Sequence, residues 1–327
     1  MIILFFILFV LFVCSLRFHQ RFALTKLRSD VLKALFPFAI IIGHVYFHYP
    51  NFFFQDFRWA GPYVVGLFFF MSGYGLEYKH EHSALGLMAF KKRIKNLLIP
   101  AIPPLVIYLV VRWALGLPIG SYIVAGLRSY YLILPVTWFV ISLLFLYVFY
   151  FVGRSLRLGN KVFDCWIFVL TSLLAVVLIK AGISGTTFES NYAFLCGIIF
   201  KQYEVKILNS KRGGYTVMLC LLILVAAALS YIHNVPPFRG FALVGVVLYV
   251  MAFFFVLSFI PFREIPFFQF FKSISYEMYL CQDIFLLTLP EFHLPWYAFV
   301  VLLLAGDIAC AWACKRFVDV AQERLLE

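Results

Sequence analysis

Charge is scarce in this sequence: Asp, Glu, Lys and Arg make up 13% of 327 residues, and acids number only 15 against 27 bases. With 64% of the residues apolar, a water-soluble domain would have too few ionic groups to cover its surface, so a soluble fold is excluded. What remains is a polytopic membrane protein. Long polar stretches are also missing, and the longest loop, of about twenty residues, leaves no room for a soluble extracytoplasmic domain. The seven cysteines form no CxxC pair and sit mostly inside apolar runs, which suits small packing residues and gives no reason to expect a metal site. No internal repeat and no matched pair of broken apolar segments occurs, which weighs against a transporter built from inverted halves. The net charge of +12 would suit a nucleic-acid partner, but the bases sit in short clusters between apolar runs. That is the pattern of cytoplasmic loops, and no nucleic-acid partner is expected.

Phe (41) and Tyr (19) are abundant, as lipid-facing surfaces and interfacial belts require. Residues Met1–Leu16 are continuously apolar, with Arg17, Arg21, Lys26 and Arg28 after them. A cleavable signal would carry its positive charge first, so this reads as a retained, rather short span with its N-terminus outside. Further spans are expected at 34–50, 61–78, 97–115, 136–153, 162–180, 190–200, 214–232, 240–260, 273–289 and 296–314. The fold class is therefore all-α, a transmembrane bundle of about eleven spans, N-out and C-in. Of the 27 Lys and Arg residues, 22 then fall on the inner side and five outside: Arg58, Arg112, Arg128, Lys180 and Arg239. This agrees with the positive-inside rule without exceptions. Span 190–200 is short for an upright crossing, and the apolar loop 116–135 could dip back into the membrane.

The polar residues inside these runs need a reason, because ionisable groups in a membrane are costly. In the stretch 30–48, Lys33 and His44 stand eleven positions apart, about three helical turns, and so share a face. Asp30 lies one turn before Lys33 and can pair with it. His44 at mid-depth has the chemistry of a general base, although a proton-coupled transporter would want the same residue. In 68–78, Ser72, Gly73 and Gly75 make a thin stretch that suits either close helix packing or an opened site, and Glu77 lies near the inner interface. Lys91, Lys92, Arg93 and Lys95 precede the prolines Pro100, Pro103 and Pro104. They are either a topology anchor or an anion site at a helix N-terminus. In 274–286, Tyr276, Tyr279 and Asp283 share one face, with Glu277 also buried; Asp164 and Asp307 are further membrane acids.

Together these stretches resemble the acyltransferase-3 family of bacterial membrane acyltransferases. Lys33 with ten residues before His44 is similar to the family's Arg/Lys-x10-His helix, with lysine where arginine is commoner. Phe68-Phe69-Phe70-Met71-Ser72-Gly73-Tyr74 is similar to its Phe-Phe-x-x-Ser-Gly-Phe/Tyr stretch, and Lys92-Arg93 before Leu98-Ile99-Pro100 to its basic cluster ahead of Leu-x-Pro. Ser275-Tyr276 with Tyr279-Leu280 is similar to its late Ser-Tyr-x-x-Tyr-Leu, and Trp138-Phe139 to the opening of a middle helix. Gln282 stands where many members have histidine, so that residue's role does not carry over. The family core usually has ten spans, which makes 1–16 an added N-terminal span and 17–327 the acyltransferase domain.

The resemblance implies acyl transfer, usually acetyl, from cytoplasmic acetyl-CoA or another acyl-CoA to a hydroxyl of a cell-surface or lipid-linked glycan. It implies a bacterial cytoplasmic membrane and no bound cofactor. His44 would be the base or acyl relay, with Lys33 and Asp30 beside it. Arg93, Lys92, Lys91, Lys95, Ser72 and Gly73 would hold the donor. Tyr74, Trp138, Tyr276, Tyr279, Glu277 and Asp283 would line the pocket. Membrane lipid surrounds the chain, and a glycan-assembly or acyl-accepting protein is a possible partner. The rival readings are a proton-coupled transporter or flippase of glycan precursors, and a non-catalytic subunit of a glycan-assembly machine.

Overall fold

A computed structural model describes residues 2–17, 23–55, 57, 60–82, 86–131, 134–209, 212–232 and 241–324. Arg21, Arg58, Lys211 and Arg239, which enter the charge split, lie outside the described residues. The fold is all-helical, and no strand occurs among the described residues. In chain order the helices are α1 (Ile2–Ser15), α2 (Lys26–Val45), α3 (Phe52–Gln55), α4 (Ala60–His82), α5 (Leu87–Leu98), α6 (Ile102–Ala114) and α7 (Gly120–Arg128). They continue with α8 (Trp138–Ser155), α9 (Asn160–Lys180), α10 (Tyr192–Asn209), α11 (Arg212–Ile232), α12 (Phe241–Leu257), α13 (Pro266–Thr288) and α14 (Trp296–Arg324).

Among the described residues, four segments are long and apolar enough to cross a membrane: Leu87–Ala114, Pro135–Ser155, Asn160–Lys180 and Trp296–Arg324. These match expected runs 97–115, 136–153, 162–180 and 296–314 in position. The first is longer than expected because α5 runs on through a 3-10 turn at Ile99–Ala101 into α6. Pro100 has no amide hydrogen to donate to the preceding turn, so the helix tightens there without ending. The run 190–200 belongs to an 18-residue helix, α10. It is longer than its apolar part because Lys201, Gln202 and Glu204 continue the helix with their side chains paired. The apolar loop 116–135 contains α7, a helix of nine residues.

The chain forms two compact units. The first comprises residues 1–29, 56–85 and 145–263. Its centre is the pair α4 and α10, whose backbones touch. A Cβ built on Gly73 would lie 2.0 Å from the Phe194 carbonyl oxygen, and one on Gly197 would lie 2.0 Å from that of Phe70. Only glycine allows this approach, which is how small residues bring apolar helices together. Phe70 stacks on Phe254 of α12 at 3.9 Å beside the contact. Gly73→Ala should therefore cost at least the roughly 1–3 kcal/mol of an overpacked core, since a backbone carbonyl must move. Gly75→Ala, whose Cβ would meet nothing within 4 Å, should be close to neutral. Thermal unfolding of the two variants in detergent checks the contrast, and equal midpoints would refute it.

Glu77 does not reach an interface. It is 2% exposed, ion-paired with Arg154 and hydrogen-bonded by the Tyr150 hydroxyl at 2.8 Å. Gln202 joins Glu77 (3.4 Å) to Asp164 (3.1 Å). Burial is tolerated because α8 delivers a counter-charge, a partner that the local sequence around Glu77 does not reveal.

The second unit comprises residues 30–55, 86–144 and 264–327. Here α13 packs along α14 and against α6, and it buries Ile274, Met278, Tyr279, Leu280, Cys281, Gln282, Asp283 and Ile284. This is the unit that carries His44.

Candidate active site

The site builds up from α2 and α13 of the second unit. His44 lies in the last turn of α2 and is partly buried, and its Nδ1 is 2.9 Å from Oε1 of Gln282. Gln282 is fully buried, and its Nε2 donates to the Tyr279 carbonyl at 2.7 Å. A carbonyl can only accept, so the Gln282 amide must point its nitrogen at Tyr279 and its oxygen at His44. That oxygen in turn can only accept, so His44 carries its proton on Nδ1. Nε2 of the neutral ring is left with a lone pair. A histidine held in one tautomer by a buried partner is poised to take a proton at the other nitrogen.

Nearly four turns before His44, Asp30 anchors the same helix. The i, i+3 spacing puts Lys33 in reach, but the cation on Asp30 Oδ2 is Lys272 Nζ of α13, at 2.6 Å. Lys33 itself is half-buried, and Pro37 removes one backbone rung between it and His44. Helix α13 therefore meets α2 twice, through Lys272 and through Gln282.

The acids and tyrosines of α13 hold a neighbouring turn. Asp283 Oδ2 accepts the Val136 amide hydrogen at 3.2 Å, and the Tyr279 hydroxyl donates to the Val136 carbonyl at 3.3 Å. This fastens the 3-10 turn Pro135–Thr137 that opens α8, where Trp138 is half-buried and Phe139 meets Tyr279 edge-on at 4.6 Å. Tyr276 donates to the Leu97 carbonyl at 2.7 Å, at the tight turn between α5 and α6. Glu277 is 3% exposed. Asp283, Tyr279 and Tyr276 are satisfied by the turns they hold together.

A family model described as an acyltransferase domain, that of the acyltransferase-3 family, matches residues 26–316. The chain belongs to the acyltransferase-3 family. Nothing among curated proteins or solved structures matches it. The apolar helices and the acyltransferase-3 domain together fit a membrane acyltransferase.

Within this acyltransferase-3 domain the remaining expected residues fall in two places. Lys91, Lys92, Arg93 and Lys95 belong to the second unit, but they lie inside α5 and not at its N-terminus, which is at Gly86–Leu87. The helix starts earlier than the basic run because Leu87, Met88 and Phe90 continue its amphipathic pattern. The three lysines are exposed and Arg93 is half-buried. Ser72, Gly73 and Tyr74 belong to the first unit, on α4. Ser72 is half-buried, Gly73 sits at the α10 contact, and the Tyr74 hydroxyl donates to Glu204 Oε1 at 2.6 Å. Glu204 is also bound by Lys201 Nζ at 3.0 Å.

Two residues of the His44 neighbourhood are not in the set expected from sequence. Gln282 is visible there only as the replacement for the family's commoner histidine. An imidazole also offers one acceptor and one donor, and so could fill the same bridging place. Lys272 gave no signal beyond its charge in a short loop.

Proposed function

We propose that this chain is an integral-membrane O-acyltransferase that moves an acetyl group from cytoplasmic acetyl-CoA to a hydroxyl of a cell-surface or lipid-linked glycan. Family membership supports acyl transfer, and the single observation that carries the assignment of the base is the chain His44–Gln282–Tyr279 carbonyl. His44 Nε2 takes the proton of the acceptor hydroxyl as its oxygen attacks the thioester carbonyl. The carbon–sulfur bond then breaks, and the proton passes to the leaving CoA thiolate. No covalent acyl-serine is required.

The donor carries several phosphate charges, so its handle belongs with Arg93, Lys91, Lys92 and Lys95 on α5. In an eleven-span, N-out arrangement this cluster faces the cytoplasm, where acyl-CoA is made. Exposed Leu87 and Met88 on the same helix suit a position at the membrane interface. Asp30, paired with Lys272, orients α2, and Lys33 adds a cation on the same side.

The test uses purified protein in lipid vesicles with labelled acetyl-CoA, following CoA release and label transfer with and without crude envelope glycan. Acetyl-CoA consumption that rises with glycan supports the reading. Failure of well-folded protein to consume any acyl-CoA would overturn it and favour a transporter that answers to a pH gradient. Arg93→Ala should raise KM for acetyl-CoA about tenfold with kcat nearly unchanged, the value of one charge-assisted phosphate contact at about 1.5 kcal/mol. An unchanged KM would remove the donor from α5.

A further inference from the structure

Cysteines spread over the last third of the sequence come together in the second unit. Cys281 of α13 and Cys310 and Cys314 of α14 place their Sγ atoms within 4.8 Å of one another. Cys281 and Cys314 are buried and Cys310 is half-buried. The i, i+4 spacing puts the two α14 thiols on one face, toward α13. We propose that these three thiols form a binding site for a soft divalent ion, with Zn2+ as its ligand. The site is independent of the acyl-transfer reading.

Three small side chains at a helix crossing are ordinary packing, and two observations point past that. Thiolates about 2.3 Å from a tetrahedral ion lie roughly 3.8 Å apart, and Cys281 Sγ is 3.9 Å from Cys314 Sγ. One edge of the ligand set thus already has the right length, and the others need to close by no more than about 1 Å. The second observation is Asp307, one turn before Cys310 on α14. It is fully buried, and neither carboxylate oxygen has a hydrogen-bond partner among the described residues. A buried acid without a partner, one helical turn from Cys310, is costly, and in its protonated form it would have a metal-bound thiolate to donate to.

Charge decides which ion. Three thiolates around Zn2+ leave one net negative charge, whereas Cu+ would leave two in an apolar interior. Binding breaks three S–H bonds, releases three protons to solvent and forms three sulfur–metal bonds, so affinity falls as pH falls. The ion would clamp α13 to α14 one residue from Gln282, and so steady the partner of His44.

The experiment titrates reduced, full-length protein in detergent micelles with Cd2+, which takes the same ligands and gives a thiolate-to-metal charge-transfer band in the ultraviolet. Zn2+ competition is followed with a chromophoric chelator. We expect one Cd2+ per chain with the band of three thiolates, displaced by Zn2+. Cys310→Ser, at the least buried position, should lose about a third of the band and at least tenfold in affinity, and Cys314→Ala should behave alike. A wild-type protein without the band, or a band that Cys310→Ser leaves unchanged, would overturn the site. Protein isolated two hydrogens light, with Cys281 linked to Cys314 in a peptide map, would overturn it in favour of a disulfide.

Discussion

Replacing His44 by alanine is expected to abolish acyl transfer while leaving a folded, membrane-inserted protein. A general base contributes about 10²–10⁴ in rate, and nothing else in the His44–Gln282 pair can take the hydroxyl proton. The partly buried ring limits the lost packing, and the stability cost should be about 1–3 kcal/mol, from the Gln282 amide oxygen left unpaired. The sharper test is Gln282→Leu, which removes the acceptor on Nδ1 and frees the ring to turn or change tautomer. Loss of such a partner should lower kcat about 10- to 100-fold, by analogy with a metal-bound histidine that loses the hydrogen bond orienting its other ring nitrogen. KM for acetyl-CoA should stay where it is, since the donor's phosphate handle is proposed to lie on α5 and Gln282 contacts His44 and the Tyr279 carbonyl. Gln282→His should keep most of the rate, because an imidazole can accept from His44 and donate to the Tyr279 carbonyl. Steady-state kinetics on the three variants decide the matter. CoA release by His44→Ala would remove the base, and a wild-type rate in Gln282→Leu would remove the positioning role.

What could be read from sequence was what repeats along the chain. Apolar run length marks helices such as Asn160–Lys180, and the Lys33-to-His44 spacing needs only the helical period. The partners could not be read, because they come from far away. Gln282 is 238 residues from His44, and Lys272 is 242 residues from Asp30. Local spacing favours Lys33 as the mate of Asp30, and only the packing of α13 brings Lys272. Glu77 is a case of the same kind, buried on a partner 77 residues away. At the end of an apolar run a glutamate is expected to reach water, unless another helix brings it a cation. Helix α10 continued past its apolar part because its polar residues found partners on α4 and α9, which hydropathy does not record. The basic run 91–95 looked like a helix start because the apolar run begins after it, whereas backbone pairing begins at Leu87. The thiol cluster was hidden by spacing, since Cys281 and Cys310 are on different helices.

Arg154→Ala should be the most destabilising single change in the first unit. Arg154 pairs through Nη2 with Glu77, donates through Nη1 to Asn160 at 3.3 Å, and lies over the Phe163 ring at 3.8 Å. The side chains of Arg154 and Glu77 are 7% and 3% exposed, so neither charge has water to fall back on. Removing one partner of a buried pair costs about 3–5 kcal/mol, most of it the penalty of the charge left behind. Glu77 would keep only the Tyr150 hydroxyl and the long Gln202 contact, with Asp164 adding negative charge across the same glutamine. Part of the cost is lost packing on Phe163, which Arg154→Met would largely retain. The charge argument then makes a second claim. Arg154→Met combined with Glu77→Leu should be more stable than either single variant, because the double change leaves no unpaired buried charge. Unfolding midpoints and the monodisperse fraction in detergent measure all four proteins. If Arg154→Ala unfolds with the wild type, the pair is not holding α4 to α8. If the double variant is worse than both singles, then the hydrogen bonds around Glu77, and not its charge balance, are what the first unit needs there.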